Sequence, residues 1–295
     1  MRATINYFLI FLAFCAAQAN AVSLLGKDNS ANQSNPGTGV PWDSVGRLSN
    51  LDGSIVGGSG IYLGNGYILT ANHVGPFASV TFDGSTPYFH DGVPPIQVAA
   101  NVDMKIFRLT TMPTVAAVSI LTTPSELVAP ATLVGWGVGR HPASSVGATV
   151  VPWDLDKNTI AKRWGLNAPK AIGNLGYQSG SYQGLITYLG SNSGVPAGLG
   201  NDEAAATLLD SGSGLFQQIL GTWYLIGLTT GVDTYGTSTF GNDQPIDPNG
   251  DANYFARISS YDTQINALIP EPSSLLLTSP ALLLLLRRRR CETRH

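Results

Sequence analysis

Short runs of β-branched and aromatic residues recur along most of the chain, and glycine, proline or asparagine separates each run from the next. Examples are SIVGGSGIYLG, GYILTANHV, ASVTFDG, IQVAANV, MKIFRLT, ATLVGWGVG and WYLIGLTTGV. This pattern predicts an all-β sandwich or barrel, because the strands of a parallel sheet would alternate with helical segments and no such alternation is present. One segment, YFARISSYDTQINALI, repeats apolar residues at helical spacing and predicts a C-terminal helix over about 256–268.

A change in composition suggests that the chain has two halves. The composition changes near TTMPTVAAVSILTTP, which places a boundary between about 40–122 and 123–255. Residues 22–39 are polar and rich in glycine, serine and asparagine, so we expect a flexible lead-in there. At 295 residues and 43% hydrophobic content, the chain is long enough to obtain its stability from a buried core.

The first residues, MRATINYFLIFLAFCAAQANA, have the layout of a secretory signal peptide. Arg2 precedes an apolar run from Tyr7 to Ala17, and small residues follow at Ala19 and Ala21. We therefore expect residues 1–21 to be removed during export, with cleavage after Ala19 or Ala21. A permanent N-terminal membrane anchor is the weaker interpretation because the apolar run is short.

The other end, residues 269–295, reads IPEPSSLLLTSPALLLLLRRRRCETRH. An apolar stretch from Leu275 to Leu286 is short for a permanent membrane span, and four arginines follow it. Pro270, Glu271 and Pro272, then the apolar stretch, then the arginines, resemble the PEP-CTERM sorting signal of bacterial exported proteins. The resemblance implies that sorting machinery recognises and removes the tail at the membrane. We expect a protein that is secreted or at the cell envelope or surface, transiently attached to the membrane, and an ordinary tail anchor remains the alternative.

Charge and cysteine content limit the classes of partner. The formal net charge of −3 comes without a basic stripe in the body of the chain, so we expect no nucleic-acid partner. Both cysteines, Cys15 and Cys291, lie in the terminal segments, so we expect no disulfide in the folded body. No HExxH or paired-histidine spacing occurs, so we expect no metal site. Nothing in the sequence determines the oligomeric state.

Four histidines are available as a catalytic base. His295 lies in the tail, while His90 and His141 lie in turn-like contexts where we expect solvated side chains. His73 directly follows the apolar run GYILT, where a strand end can present it at a cleft. His73 is therefore the candidate general base.

Several segments resemble those of chymotrypsin-like (trypsin-fold) serine proteases. GSGIYLGNGYILTANHV is similar to the segment of the catalytic histidine, His73, and NVDMKIFRL to that of the catalytic aspartate, Asp103. LLDSGSGLF is similar to the nucleophile turn and makes Ser211 the nucleophile. TLVGWGVG, WYLIGLTTGV and ANYFARISSYDTQI match further segments in the family's order. The resemblance covers about 40–268.

The resemblance implies a fold and a reaction. The fold would be two six-stranded antiparallel β-barrels with a C-terminal helix, and the activity a secreted serine endopeptidase that forms an acyl-enzyme and needs no cofactor. The chemistry is consistent with these roles, because a serine hydroxyl needs a general base and the base needs an orienting carboxylate. An α/β-hydrolase would need its histidine after Ser211, and a glycine where Leu209 stands.

The nucleophile turn departs from the family at Leu209 and Ser213, where glycines are usual. The oxyanion hole would consist of the backbone N–H groups of Leu209 and Ser211. Since the Cβ of leucine resists the positive φ that glycine adopts freely, we expect a hole that is strained or that forms only when substrate binds. The alternative is a catalytically impaired trypsin-fold module that binds a peptide or protein at the cell surface.

Substrate preference in the family depends on the residue six positions before the nucleophile, which here is Ala205. By the same resemblance, Thr230, Gly231 and Val232 would line the substrate cleft. An alanine offers no charge to a basic side chain, so we expect a small or apolar preference, although Asp202 and Glu203 lie close enough in sequence to reach the pocket.

The string IVGG at residues 55–58 begins many mature trypsin-like enzymes, whose freed amino group pairs with the aspartate beside the nucleophile. Here no basic residue precedes it at Ser54, and it lies within the strands that lead to His73. We interpret it as a β-strand. Asp210 then lacks its usual partner, and we expect the N-terminal amine or a polar side chain to take that place.

Overall fold

The computed structural model describes residues 22–24, 27, 29–140, 155–189, 199–232 and 251–270. The expected signal peptide, His141, and the tail from residue 271 onwards lie outside these ranges. Within the described ranges, no helix has the length and apolar character needed to cross a membrane.

Almost all regular structure in the described residues is β-strand. The strands are β1 (Ser23–Leu24), β2 (Val45–Ser49), β3 (Ile55–Gly64), β4 (Tyr67–Thr70), β5 (Ser79–Thr81), β6 (Pro87–Phe89), β7 (Ile96–Gln97), β8 (Lys105–Arg108), β9 (Ser119–Ile120), β10 (Ala131–Arg140), β11 (Leu155–Asn167), β12 (Ala171–Tyr177), β13 (Gly180–Leu189), β14 (Ala204–Ala205), β15 (Gly214–Ile219), β16 (Thr222–Val232) and β17 (Asp251–Arg257). One α-helix, α1 (Asp262–Leu268), follows β17 after a short 3-10 turn.

The first half is a closed antiparallel barrel. Its strands run in the order β6-β5-β2-β3-β4-β8, with β7 paired to the outer side of β8. A bridge between His90 and Leu109 closes the barrel. Thr110 N–H also donates to the carbonyl of Phe89 over 2.9 Å, which joins the residues flanking β6 and β8. Closure leaves six strands around the barrel, as expected.

The second half is a curled sheet in the order β11-β10-β15-β16-β17-β13-β12. All of these pairings are antiparallel, and β9 adds to β16 in parallel. Since β9 lies just after the first half, the chain crosses between the halves near the expected boundary. The two curled halves and the terminal helix confirm the expected fold class.

The C-terminal helix begins later than the sequence indicates. The periodicity predicts a helix from about 256, but residues 251–257 form β17, and α1 starts at Asp262. Phe255 and Ala256 pair with Thr229 and Leu228 of β16. Both side chains are almost fully buried, so tertiary packing overrides the local helical spacing here.

A buried lysine joins the two halves. Lys162 of β11 lies with its Nζ 5.0 Å from the ring centroid of Trp42 and 5.7 Å from that of Trp136. The same amine donates to the carbonyl of Phe82 over 3.2 Å, and the Trp136 indole N–H donates to the carbonyl of Val45 over 3.1 Å. Burial lowers the pKa of Lys162 to about 7. These contacts fix how the first half sits against the second.

The start of the expected flexible lead-in is packed in the structure. Val22 and Leu24 are 1% and 2% exposed and lie in an apolar cluster with Leu133 of β10. Strand β1 pairs with β14, and Arg163 of β11 donates from Nη1 to the carbonyl of Val22 over 3.4 Å. The sequence indicated a flexible segment because local composition cannot show the distant surface against which these apolar side chains pack.

Candidate active site

Three loop ends bring His73, Asp103 and Ser211 together. His73 follows β4, Asp103 precedes β8, and Ser211 precedes β15, so the first half supplies two of the side chains and the second half supplies the third. The Oγ of Ser211 lies 2.7 Å from Nε2 of His73, and Nδ1 of His73 lies 2.6 Å from Oδ2 of Asp103. All three predicted residues are therefore in one hydrogen-bonded row.

Asp103 holds His73 at two points. Its Oδ1 accepts a hydrogen bond from the backbone N–H of His73 over 2.9 Å, and its Oδ2 accepts from Nδ1. Asp103 is only 3% exposed, whereas the His73 side chain is 39% exposed. With the Nδ1 proton directed at Asp103, the other ring nitrogen is left as the acceptor for the Ser211 hydroxyl proton.

Leu209 adopts the backbone conformation that the family's glycine would take. Its φ is +71°, in the left-handed region. A leucine in this region is strained, which is the first of the two states expected for this turn. The space for the leucine side chain comes from Gly57 of β3, where an added Cβ would lie 2.4 Å from Cδ2 of Leu209.

The expected oxyanion donors are the backbone N–H groups of Leu209 and Ser211. Their neighbours are used, since Asp210 N–H donates to Thr207 over 3.1 Å and Gly212 N–H donates to Thr229 over 2.8 Å. Within the described part of the chain, no acceptor takes the N–H of Leu209 or of Ser211. Both groups are available to a developing negative charge near Ser211.

Because Leu209 already has a positive φ, a Leu209→Gly variant should keep its kcat within about threefold of the wild type. Glycine removes roughly 1 kcal/mol of left-handed strain but also the contact with Gly57, so we expect only a small change in the free energy of unfolding. Peptidase kinetics and urea unfolding measure the two effects. Leu208→Gly is the control, because that exposed residue does not have a positive φ. A kcat gain above tenfold in Leu209→Gly alone would contradict a preformed hole.

The carboxylate of Asp210 is fully buried and is held by polar side chains. The N–H and hydroxyl of Thr207 donate to its Oδ2 over 2.8 and 3.1 Å, and the Ser213 hydroxyl donates to Oδ1 over 3.3 Å. Burial raises the pKa of Asp210 to about 6, against the Thr207 hydrogen bonds and the positive charge of Arg163. Ser213, which departs from the family's glycine, thus has a structural role that the sequence did not reveal.

The string IVGG forms the start of β3, as the sequence predicts. Ile55 is 37% exposed and pairs with Ser49 of β2, so it is an internal strand residue and not a terminus beside Asp210.

Two residues that sequence reasoning missed hold the nucleophile turn. Gly212 has φ +82°, and a Cβ there would lie 2.2 Å from the carbonyl oxygen of Ser59. Ser59 N–H donates to the Ser211 carbonyl over 2.7 Å, and its hydroxyl lies 3.1 Å from that of Ser213. The glycine directly after Ser211 is a visible signal in the sequence, whereas Ser59 has none.

The expected cleft residues fall into two groups. Ala205 is fully buried, and it packs in one small cluster with Leu189 and the partly buried Val232. Thr230 and Gly231 are half-buried at an irregularity in the pairing of β16 with β17. The Thr230 hydroxyl accepts a hydrogen bond from the hydroxyl of Tyr182 over 2.9 Å.

The two acidic neighbours of Ala205 lie in different environments. The Asp202 carboxylate accepts from Lys27 Nζ over 2.5 Å and from Asn32 Nδ2 over 2.6 Å, so it faces the N-terminal segment. Glu203 is 5% exposed, and its backbone forms a bridge with Leu166.

His90 differs from its expected solvated state. Its side chain is 14% exposed, and its ring packs edge-on against Phe77 and Phe107 inside the first half. The sequence could not show this because the pairing of His90 with Leu109 places the ring. Among the described residues, no group of three or more His, Cys, Asp or Glu side chains is arranged to hold a metal ion.

No family model matches the chain, and no curated protein sequence matches it. A search of solved structures found neuropsin, described as a serine protease expressed in the limbic system of mouse brain. The match has a TM-score of 0.51 and 16% sequence identity, and it covers 81% of this chain and 98% of that chain. At this identity the likeness concerns the fold, which is that of the trypsin-like serine proteases.

Proposed function

We propose that this protein is a serine endopeptidase that hydrolyses peptide bonds through Ser211, His73 and Asp103. The observation that supports this most directly is the row of two hydrogen bonds, 2.7 and 2.6 Å long, from Ser211 through His73 to Asp103. A second supporting observation is that, in the described part of the chain, the backbone N–H groups of Leu209 and Ser211 have no acceptor and can serve as oxyanion donors. The impaired-module alternative depended on the altered nucleophile turn, and the positive φ of Leu209, which is the conformation expected of the family's glycine, supports the peptidase instead.

The proposed reaction proceeds in two displacements. His73 Nε2 takes the Ser211 hydroxyl proton while Oγ attacks the scissile carbonyl, and Asp103 stabilises the imidazolium that forms. The N–H groups of Leu209 and Ser211 stabilise the negative oxygen of the tetrahedral intermediate. The C–N bond then breaks, and the imidazolium gives its proton to the leaving amine. Water releases the acyl group by the same steps, which restores Ser211.

We propose a small or apolar preference for the substrate residue before the scissile bond. Ala205 carries no charge and packs with Leu189 and Val232, and the carboxylate of Asp202 is engaged elsewhere. A panel of peptides that differ only at this position tests the proposal. Faster cleavage after alanine, valine or leucine is expected, and a strong preference for arginine or lysine would contradict it.

The activity is tested by labelling the full chain with a fluorophosphonate probe, which phosphonylates an activated serine. The wild type should be labelled at Ser211, and Ser211→Ala should not. Ser213→Ala is a matched control, because its hydroxyl is buried and should not react. Unlabelled but folded wild-type protein would favour the binding-module alternative.

The site of action is also a proposal. The signal peptide and the PEP-CTERM-like tail support export, followed by attachment to or release from the cell envelope by sorting machinery. Proteins and peptides outside the cytoplasm would then be the substrates.

The N-terminal amine remains our proposed additional partner of Asp210. Signal-peptide cleavage after Ala21 would leave Val22 as the first residue, and Val22 is 1% exposed. Ser23 pairs with Ala205, so Val22 lies beside the strand that leads to Thr207 and Asp210. Protein that begins at Val22 should be more active than protein with one extra N-terminal residue, and equal activity would exclude a role for the amine.

A further inference from the structure

Catalysis by His73 requires that its ring stays aligned between two partners while the proton moves. Asp103 fixes the ring nitrogen of His73 and, through the backbone N–H of His73, one end of the peptide group between Asn72 and His73. A second side chain holds the carbonyl at the other end of that peptide group and the carbonyl of Val74.

Lys105, the first residue of β8, reaches the chain on both sides of His73. Its Nζ donates to the carbonyl of Val74 over 2.6 Å and to the carbonyl of Asn72 over 3.2 Å. Nζ also lies 5.4 Å from the ring centroid of Phe77. Asp103 and Lys105, two residues apart in the chain, therefore both hold the segment that carries His73.

The environment of Lys105 indicates more than a surface charge. The residue is half-buried, and burial lowers the pKa of its amine while the charge of Asp103 raises it. Hydrogen bonds from a charged donor are stronger than neutral ones, and a partly desolvated ammonium needs such acceptors. The two flanking carbonyls supply them, so the loop that carries His73 is tied to the strand that follows Asp103.

We propose that Lys105 is a positioning residue for catalysis: its ammonium holds the carbonyls of Asn72 and Val74 and thereby sets the His73 ring in line with Ser211. Lys105 does not touch the substrate or the reacting atoms. The inference depends on the proposed peptidase function for its kinetic consequence, but the alignment of His73 with Asp103 is a property of the protein without substrate.

The test compares the full-length wild type with Lys105→Met, which keeps the aliphatic stem and removes the donors. We expect kcat per titrated active site to fall roughly tenfold to a hundredfold, because small misplacements of catalytic groups have effects of this size. The KM should stay within about twofold. Lys105→Arg, which can donate to both carbonyls, should recover most of the loss. Arg108→Met, an exposed cation on the same strand, should leave both constants unchanged.

A spectroscopic measurement makes the test independent of peptidase activity. The proton shared by His73 Nδ1 and Asp103 should give a far-downfield proton resonance in the NMR spectrum, and His73→Ala assigns it. In folded Lys105→Met this resonance should broaden or disappear through faster exchange with water, and Lys105→Arg should retain it.

The outcomes separate the two proposals. An unchanged resonance together with an unchanged kcat in folded Lys105→Met would overturn the role of Lys105. A wild type that shows the resonance but cleaves no peptide would instead contradict the proposed function, and the change in Lys105→Met would still support the positioning role. An increase in KM with an unchanged kcat would also contradict the positioning role, because it would place Lys105 in substrate binding.

Discussion

Alanine at Ser211, at His73 or at both positions is expected to lower kcat/KM by about 10⁴-fold or more, and by nearly the same factor in all three variants. The reason is that the two groups act as a unit: without the base the hydroxyl remains a poor nucleophile, and without the hydroxyl the base has nothing to activate. The 2.7 Å hydrogen bond between them is the basis of this expectation. Single-turnover kinetics with a peptide of the preferred class measure the effect.

The loss of kcat/KM in the double variant distinguishes the proposed mechanism from its alternatives. If losses in the Ser211→Ala and His73→Ala variants multiply in the double variant, the residues act independently, and the row of hydrogen bonds is not the catalytic unit. Ser119→Ala, at an exposed serine of β9 away from the three residues, should keep its activity, which controls for the loss of a serine hydroxyl.

The Gly212→Ala variant is expected to lose most of its activity, with kcat/KM reduced about a hundredfold or more. Gly212 has φ +82°, and its added Cβ would lie 2.2 Å from the backbone oxygen of Ser59, which cannot move aside as a side chain can. The turn would have to shift, and Ser211 would shift with it. Loss of one oxyanion donor alone typically costs a hundredfold or more.

Gly221 provides a matched control for the backbone strain. Its φ of +84° is nearly the same, yet nothing lies within 4 Å of an added Cβ. Gly221→Ala should therefore be destabilised by roughly 1–2 kcal/mol through strain alone and keep its kcat/KM. Equal kcat/KM in Gly212→Ala and Gly221→Ala would show that the contact with Ser59 does not hold the nucleophile turn.

Much of the candidate site follows from local sequence. His73 stands at the end of an apolar strand run, Asp103 just before one, and Ser211 in a glycine turn, and each of these contexts is a property of a few neighbouring residues. The resemblance to a known family then links the three, and the structure places them within hydrogen-bond distance. The strand-rich pattern likewise predicted an all-β fold, and the resemblance implied its two antiparallel halves.

Local reasoning gave the wrong result where distant segments meet. Residues 22–24 open a segment whose composition is mostly polar, yet β14 and Arg163 provide them with a packing surface. Residues 255 and 256 have helical spacing, yet they pair with β16 and form part of a strand. In both cases the gain from burial and ladder hydrogen bonds exceeds the local preference.

The sequence by itself determined which residues can carry the chemistry and the order in which they occur. Only the tertiary structure decided the backbone conformation of the altered turn, because the positive φ of Leu209 depends on the space left by Gly57 on another strand. It likewise decided that Thr207 and Ser213 hold Asp210 and that Lys105 holds the chain beside His73. These features are contacts between segments far apart in the chain, and such contacts exist only once the two halves have packed together.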